Sequence, residues 1–198
     1  MIKNVIFDIG NVLLDFCWKD HIARFGFQGE KADRIAQAMM LGPIWPKLDL
    51  GLESDEDILE QFVAHTPELE QEIRLVFSDL STIVREYEGS VDWIEFLKAR
   101  GYHTYYLSNY GERIRREASK ELSFLSHMDG GIMSYTVHLA KPDPAIYQTL
   151  LDRYGLKAEE CVFLDDTVRN VEAAQALGIA GIVVTSQEQA KKELETLL

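Results

Sequence analysis

Three short apolar runs in this sequence each end on a side chain able to do chemistry. Asp8 follows Val5-Ile6-Phe7, Ser108 follows Tyr105-Tyr106-Leu107, and the pair Asp165-Asp166 follows Val162-Phe163-Leu164. A fourth group, Lys141, stands in LAKPDP, where Pro142 and Pro144 stiffen the chain and a helix opens at 143–145. Taken one at a time these residues are unremarkable. A lone acid at a strand end reads as a turn or helix-cap residue, Ser108-Asn109 as a turn, and Lys141 as a solvated charge. Together they read differently, because carboxylates such as Asp8 and Asp166 brought to one edge would repel each other unless a cation lay between them. Hard oxygen ligands with room for water point to Mg2+. A metal lets an anionic nucleophile approach an anionic phosphoryl group, while the Lys141 ammonium, the Ser108 hydroxyl and backbone N–H groups after the first strand, at Gly10, hold its oxygens. Asp8 would attack phosphorus to form an aspartyl phosphate, which water then hydrolyses.

The elements that must position these groups follow from periodicity. The three apolar runs, with a fourth at 181–184, have the continuous hydrophobicity of strands buried on both faces. Amphipathic helices are expected at 90–100, 111–121, 143–154, 168–177 and from 187 to the end, with Gly101, Gly155 and Gly178 closing three of them. Alternating strands and helices predict a doubly wound parallel α/β sheet, whose carboxyl edge collects the residues that follow each strand. Residues 16–87 break the rhythm. They show no convincing strand and four helical patterns, including 31–40, 55–64 and 68–86, with Ser54 placed to cap the second.

The order of strand-Asp, strand-Ser, Lys-Pro and strand-Asp-Asp resembles the four motifs of the haloacid dehalogenase-like (HAD) hydrolases. The resemblance covers the chain: FDIGNV, LSN, AKPD and FLDDTVRNVEAAQALG stand in motif order. It implies a Rossmann-like core from 1–15 and 89–198, with 16–88 as an inserted all-helical cap that closes over substrate. It also implies a metal held by Asp8, the Gly10 carbonyl and Asp166, with Asp165 in the outer shell or reaching the metal through water. Lys141, Ser108 and Asn109 are then the phosphate-binding groups.

Gly10 departs from the pattern. Most HAD phosphatases carry an Asp there that protonates the leaving oxygen, a contribution of about 10²–10⁴-fold for a poor leaving group. Three readings follow: preference for esters of already acidic alcohols, such as anomeric sugar phosphates; a water or cap residue acting as the acid; or a slow or defunct enzyme. FD-x-GNV and GLESDEDILEQF resemble the sugar-1-phosphatase branch, and the first reading is preferred. A metal-independent 2-haloacid dehalogenase is the rival enzyme and a catalytically impaired phosphoryl-binding protein the rival outside catalysis. Asp165-Asp166 weighs against the dehalogenase, because a second acid burdens a metal-free site.

A formal charge of −13 argues against nucleic acid or an anionic membrane as partner, leaving a small phosphorylated molecule as substrate and a monomer or weak homodimer as the expected state. Cys17 and Cys161, far apart in apolar surroundings, suit reduced buried thiols and a cytoplasmic location. Asn170 is placed either near the metal shell or as a solvated helix residue, and His138 in a solvated hairpin. Trp18, Trp45 and Lys47 are the cap residues able to meet a sugar, with core packing the default for both tryptophans.

Overall fold

The computed structural model describes residues 1–198. In chain order the strands are β1 (Asn4–Phe7), β2 (Leu14–Phe16), β3 (Val84–Glu86), β4 (His103–Ser108), β5 (Gly130–Met133), β6 (Cys161–Asp165) and β7 (Ala180–Val183). The α-helices are α1 (Trp18–Arg24), α2 (Gly29–Ala38), α3 (Trp45–Leu50), α4 (Asp55–His65), α5 (Glu70–Phe77), α6 (Ser90–Ala99), α7 (Glu112–Glu117), α8 (Pro144–Tyr154), α9 (Val168–Ala176) and α10 (Gln187–Leu197).

Five strands form a parallel sheet in the order β5-β4-β1-β6-β7. Successive side chains of a strand point to opposite faces, so each strand feeds two cores. Val5, Phe7, Val162 and Leu164 pack with Trp93, Ile94 and Leu97 of α6 and with Leu194 of α10. Ile6, Leu107 and Phe163 pack on the other face with Ile146, Tyr147 and Leu150 of α8. The first of these clusters runs on without a break into Ile22, Ile35, Trp45, Phe62 and Phe77 of the helical segment, which is thereby tied to the sheet by shared apolar burial. The chain leaves β1 toward β4 on one side and leaves β6 toward β7 on the other. The strand order therefore switches between β1 and β6, and the crevice outside their carboxyl ends is where open α/β sheets bind ligands.

The expected α/β architecture is present, with differences of detail. The helix expected over 68–86 ends at Phe77, and 84–86 is instead β3, paired antiparallel with β2 as Leu14 with Glu86 and Phe16 with Val84. This ribbon carries the chain into and out of the helical segment. The helix expected over 111–121 stops at Glu117 and continues as 3-10 turns over Ser119–His127. Strand β5 has no counterpart in the expectations. Its Gly131 lies against the Tyr106 ring and carbonyl so closely that a Cβ would collide with both, so the strand is built from a residue type that sequence patterns read as a break. Ser54 caps α4 as expected, accepting from the Asp57 N–H at 3.1 Å.

Candidate active site

Each strand-end group arrives where its strand stops. Asp8 donates its N–H to the Leu164 carbonyl at 2.8 Å, which prolongs the β1–β6 ladder by one step and sets its carboxylate beside the end of β6. Lys141 enters from the loop before α8, where Asp143 caps the helix by accepting from the Ala145 N–H at 2.9 Å. The Lys141 side chain is only 1% exposed, and its ammonium bonds to Asp8 at 2.8 Å and to Asp165 at 2.7 Å. Asn109 fixes the lysine backbone from both sides, accepting from its N–H at 2.8 Å and donating to its carbonyl at 3.0 Å. Both ends of the Asn109 amide are thus engaged in positioning Lys141, although the residue also lines the cavity. Ser108 adjoins the Asp8 carboxylate and favours its charged form.

The two adjacent acids have different surroundings. Asp165 is fully buried; its oxygens take the Lys141 ammonium, the Thr167 N–H at 2.7 Å and the Asn170 amide at 3.1 Å. Asn170 therefore orients Asp165, and its backbone carbonyl accepts from the buried Tyr147 hydroxyl at 2.8 Å. Asp166 is half-buried, lines the cavity, and accepts from the Asn11 amide at 2.8 Å. Ligand atoms of Asp8, Asp165 and Asp166 all lie within 4.8 Å of one another, a spacing that could hold a metal ion.

One ammonium serves two buried carboxylates, and the electrostatics follow. Burial pushes the Asp8 carboxyl up to about 7, with Lys141 opposing and Asp165 adding to the rise. Burial works against the Lys141 ammonium too, but Asp8 and Asp165 outweigh it and hold lysine above its usual range. Both shifts point the same way: without a further cation the cluster favours keeping an extra proton.

The cavity above these groups has a volume of about 240 Å³. Its floor is Asp8, Gly10, Asn11, Ser108, Asp166 and Thr167; its wall includes Phe16 and Val84 of the ribbon and Trp45 and Asp49 of α3. Trp45 is nearly buried, with its ring 6.1 Å from Phe16 and 6.2 Å from Phe62. Trp18 and Lys47 do not line the cavity; Lys47 donates to Gln61 at 2.6 Å. His138, expected in a hairpin, follows a 3-10 turn at Ser134–Thr136 and bonds through Nδ1 to the Leu50 carbonyl at 2.8 Å. Cys17 and Cys161 are buried and unpaired, and burial pushes their thiols up to about 12 and about 11.

Sequence reasoning missed Asn11 and Asp49. Asn11 has φ 55°, a left-handed conformation that Asn tolerates better than most residues, so its place after Gly10 was a usable signal. Asp49 sits between Leu48 and Leu50, and an acid between two leucines gives no hint of the cavity it faces.

The chain is 32% identical to the mouse (Mus musculus) acyl-CoA dehydrogenase family member 10 over 99% of its own length, and it spans only 19% of that much longer protein. It is 31% identical to a phosphorylated carbohydrates phosphatase of Thermotoga maritima, over 71% of this chain and 63% of that protein. In fold it is similar to a HAD family enzyme of Bacteroides thetaiotaomicron crystallised with magnesium, with TM-score 0.76, 22% identity and 98% of each chain covered. A model described as haloacid dehalogenase-like hydrolase matches residues 2–178, from the lead into β1 through the helix behind Asp165 and Asp166, and the chain belongs to that hydrolase family.

Proposed function

We propose that this hydrolase is a phosphatase that cleaves a small phosphorylated metabolite with Mg2+, through an aspartyl phosphate on Asp8. The observation that carries the proposal is the buried Lys141 ammonium held between Asp8 and Asp165, with Asp166 beside them at the cavity floor. Three carboxylates against one ammonium make an oxygen-rich, negatively unbalanced site, the donor set that suits a hard divalent ion. Asp8, Asp166 and the Gly10 carbonyl are the groups that would hold it, while Asp165, saturated by Lys141, Asn170 and Thr167, aims the lysine. Once bound, the cation offsets the charge of nucleophile and phosphoryl group.

The chain's own residues do the rest. Asp8 attacks phosphorus, and the Lys141 ammonium takes a phosphoryl oxygen as its bond to Asp8 is given up. The Ser108 hydroxyl and the N–H groups that follow β1 take the others. The helical segment, which we read as a cap over 16–88, walls the site from bulk water. A sugar phosphate is the favoured substrate class: Trp45 and Phe16 offer an aromatic wall to the apolar face of a sugar, and the Thermotoga maritima relative is named for phosphorylated carbohydrates.

Phosphate release from nitrophenyl phosphate and from sugar phosphates, in Mg2+ and in EDTA, tests this beside Asp8→Asn. The expected result is Mg2+-dependent turnover that the variant lowers by about 10³-fold or more. Turnover that survives EDTA or the substitution refutes it. Halide release from 2-haloacids in EDTA would assign the dehalogenase reading instead, and stabilisation by phosphate and Mg2+ without turnover the binding reading.

A further inference from the structure

Gly10 leaves the site without an acid two residues beyond the nucleophile, yet the cavity is not without one. Three carboxyl groups line it: Asp8, Asp166 and Asp49. The first two sit on the sheet edge with the phosphoryl-binding groups. Asp49 comes instead from α3 of the helical segment, which with Phe16, Trp45 and Val84 lines the part of the cavity outside the sheet edge.

We propose that Asp49 is the proton donor to the leaving oxygen, the part that Gly10 cannot play, a role resting on the phosphatase reading above. In the first step an Asp8 oxygen bonds to phosphorus, the bond from phosphorus to the ester oxygen breaks, and the Asp49 proton passes to that oxygen, releasing the alcohol. In the second, water attacks phosphorus, the bond to Asp8 breaks, and the proton lost by water returns to Asp49. Alcohol and phosphate leave, and both carboxyl groups are restored.

Three features support the assignment. First, α3 is fastened to the core, so Asp49 is placed with the precision a proton donor needs. The Ser134 hydroxyl donates to the Asp49 carbonyl at 2.5 Å, and His138 bonds to the Leu50 carbonyl. Gly51 turns at φ 62° so close to Tyr135 that a Cβ would lie 2.9 Å from the tyrosine Cβ. Second, the Asp49 carboxyl has no cationic partner within bonding distance. Burial foremost, and then Asp8, push it up to about 7 against the pull of Lys141. As a residue Asp49 keeps some surface, but its carboxyl lies in the cavity wall, where desolvation acts on it. Third, an anionic phosphoryl group arriving at Lys141 adds negative charge to the same cavity, which favours the protonated, donating form.

A leaving-group comparison tests this in the Mg2+-loaded protein. Wild type and Asp49→Asn are assayed on nitrophenyl phosphate, whose leaving group needs no proton, and on a primary sugar phosphate, whose leaving alkoxide does. The expected result, read as release of the alcohol or of nitrophenol in the first turnover, before the dephosphorylation that both esters share, is a fall of about 10²–10⁴-fold in rate for the primary ester and less than about tenfold for nitrophenyl phosphate. The nitrophenyl rate also reports the folded fraction, and Asp49→Glu, which keeps a carboxyl, should retain more of the primary-ester rate than Asp49→Asn. Equal losses on the two esters, or none on either, overturn the role of Asp49 while leaving the phosphatase reading in place. A wild type that releases phosphate from neither ester overturns both.

Discussion

Replacing Lys141 with methionine keeps the length of the side chain and removes the only cation bonded to Asp8 and Asp165. The loss can be gauged from the surroundings. The lysine side chain is 1% exposed, Asp8 11% and Asp165 0%, so the Asp165 carboxylate would be stranded away from water and Asp8 reached only from the cavity. Removing one partner of a buried pair costs about 3–5 kcal/mol, most of it the penalty of the charge left behind. For a chain of this size each kcal/mol moves the melting temperature by about 2–4 °C, so Lys141→Met should melt about 6–20 °C lower near neutral pH in metal-free buffer. The deficit must also depend on pH. Asp8 already has its folded pKa raised from 3.8 to about 7. A folded state that holds a proton the unfolded chain releases has stability that is full below 3.8 and lost as pH rises through about 7. Without Lys141 that pKa rises further, so the deficit is largest above neutral pH and shrinks as the solution is acidified. Thermal melts of both proteins at a series of pH values measure it. A difference below about 2 °C near neutral pH, or one independent of pH, would mean that Lys141 does not offset buried charge as described.

Two further substitutions examine other parts of the molecule. His21 is fully buried, with Nδ1 3.0 Å from the Thr82 hydroxyl and Nε2 3.3 Å from the Val76 carbonyl, and burial holds its pKa below 6.5. The unfolded chain then takes the proton first, so the His21 contribution is present above pH 6.5 and lost as pH falls below it. His21→Gln should cost about 1–3 kcal/mol in urea unfolding above that pH, with the deficit narrowing below it; a constant deficit would count against a neutral buried imidazole. Gly10 has no atom within 4 Å of where a Cβ would stand, so Gly10→Asp should fold. In an Asp49→Asn background it should recover part of the primary-ester rate, and a melting temperature unchanged without any recovery would show that position 10 cannot reach the leaving oxygen.

The strand-end chemistry was legible because buried parallel strands must be apolar along their length, so the polar residue that ends each run marks the sheet's carboxyl edge. Asp8, Ser108 and Asp165-Asp166 were found by that rule, and Lys141 by the prolines beside it. Strands β2 and β3 are three residues long, too short for a two-residue period to register, and β5 depends on Gly131 fitting beneath Tyr106.

By itself the sequence determined which residues stand at the sheet edge, since local hydrophobic patterning dictates where each strand stops. Only the tertiary structure decided how they share the work: that Asp165 turns inward to Lys141 while Asp166 faces the cavity, and that Asn109 clasps the lysine backbone. It also decided that Asp49 lines the same cavity as Asp8, because α3 docks through Ser134 and His138, more than eighty residues further along the chain. Contacts at such separations arise from packing one element on another, and no periodicity in the sequence records them.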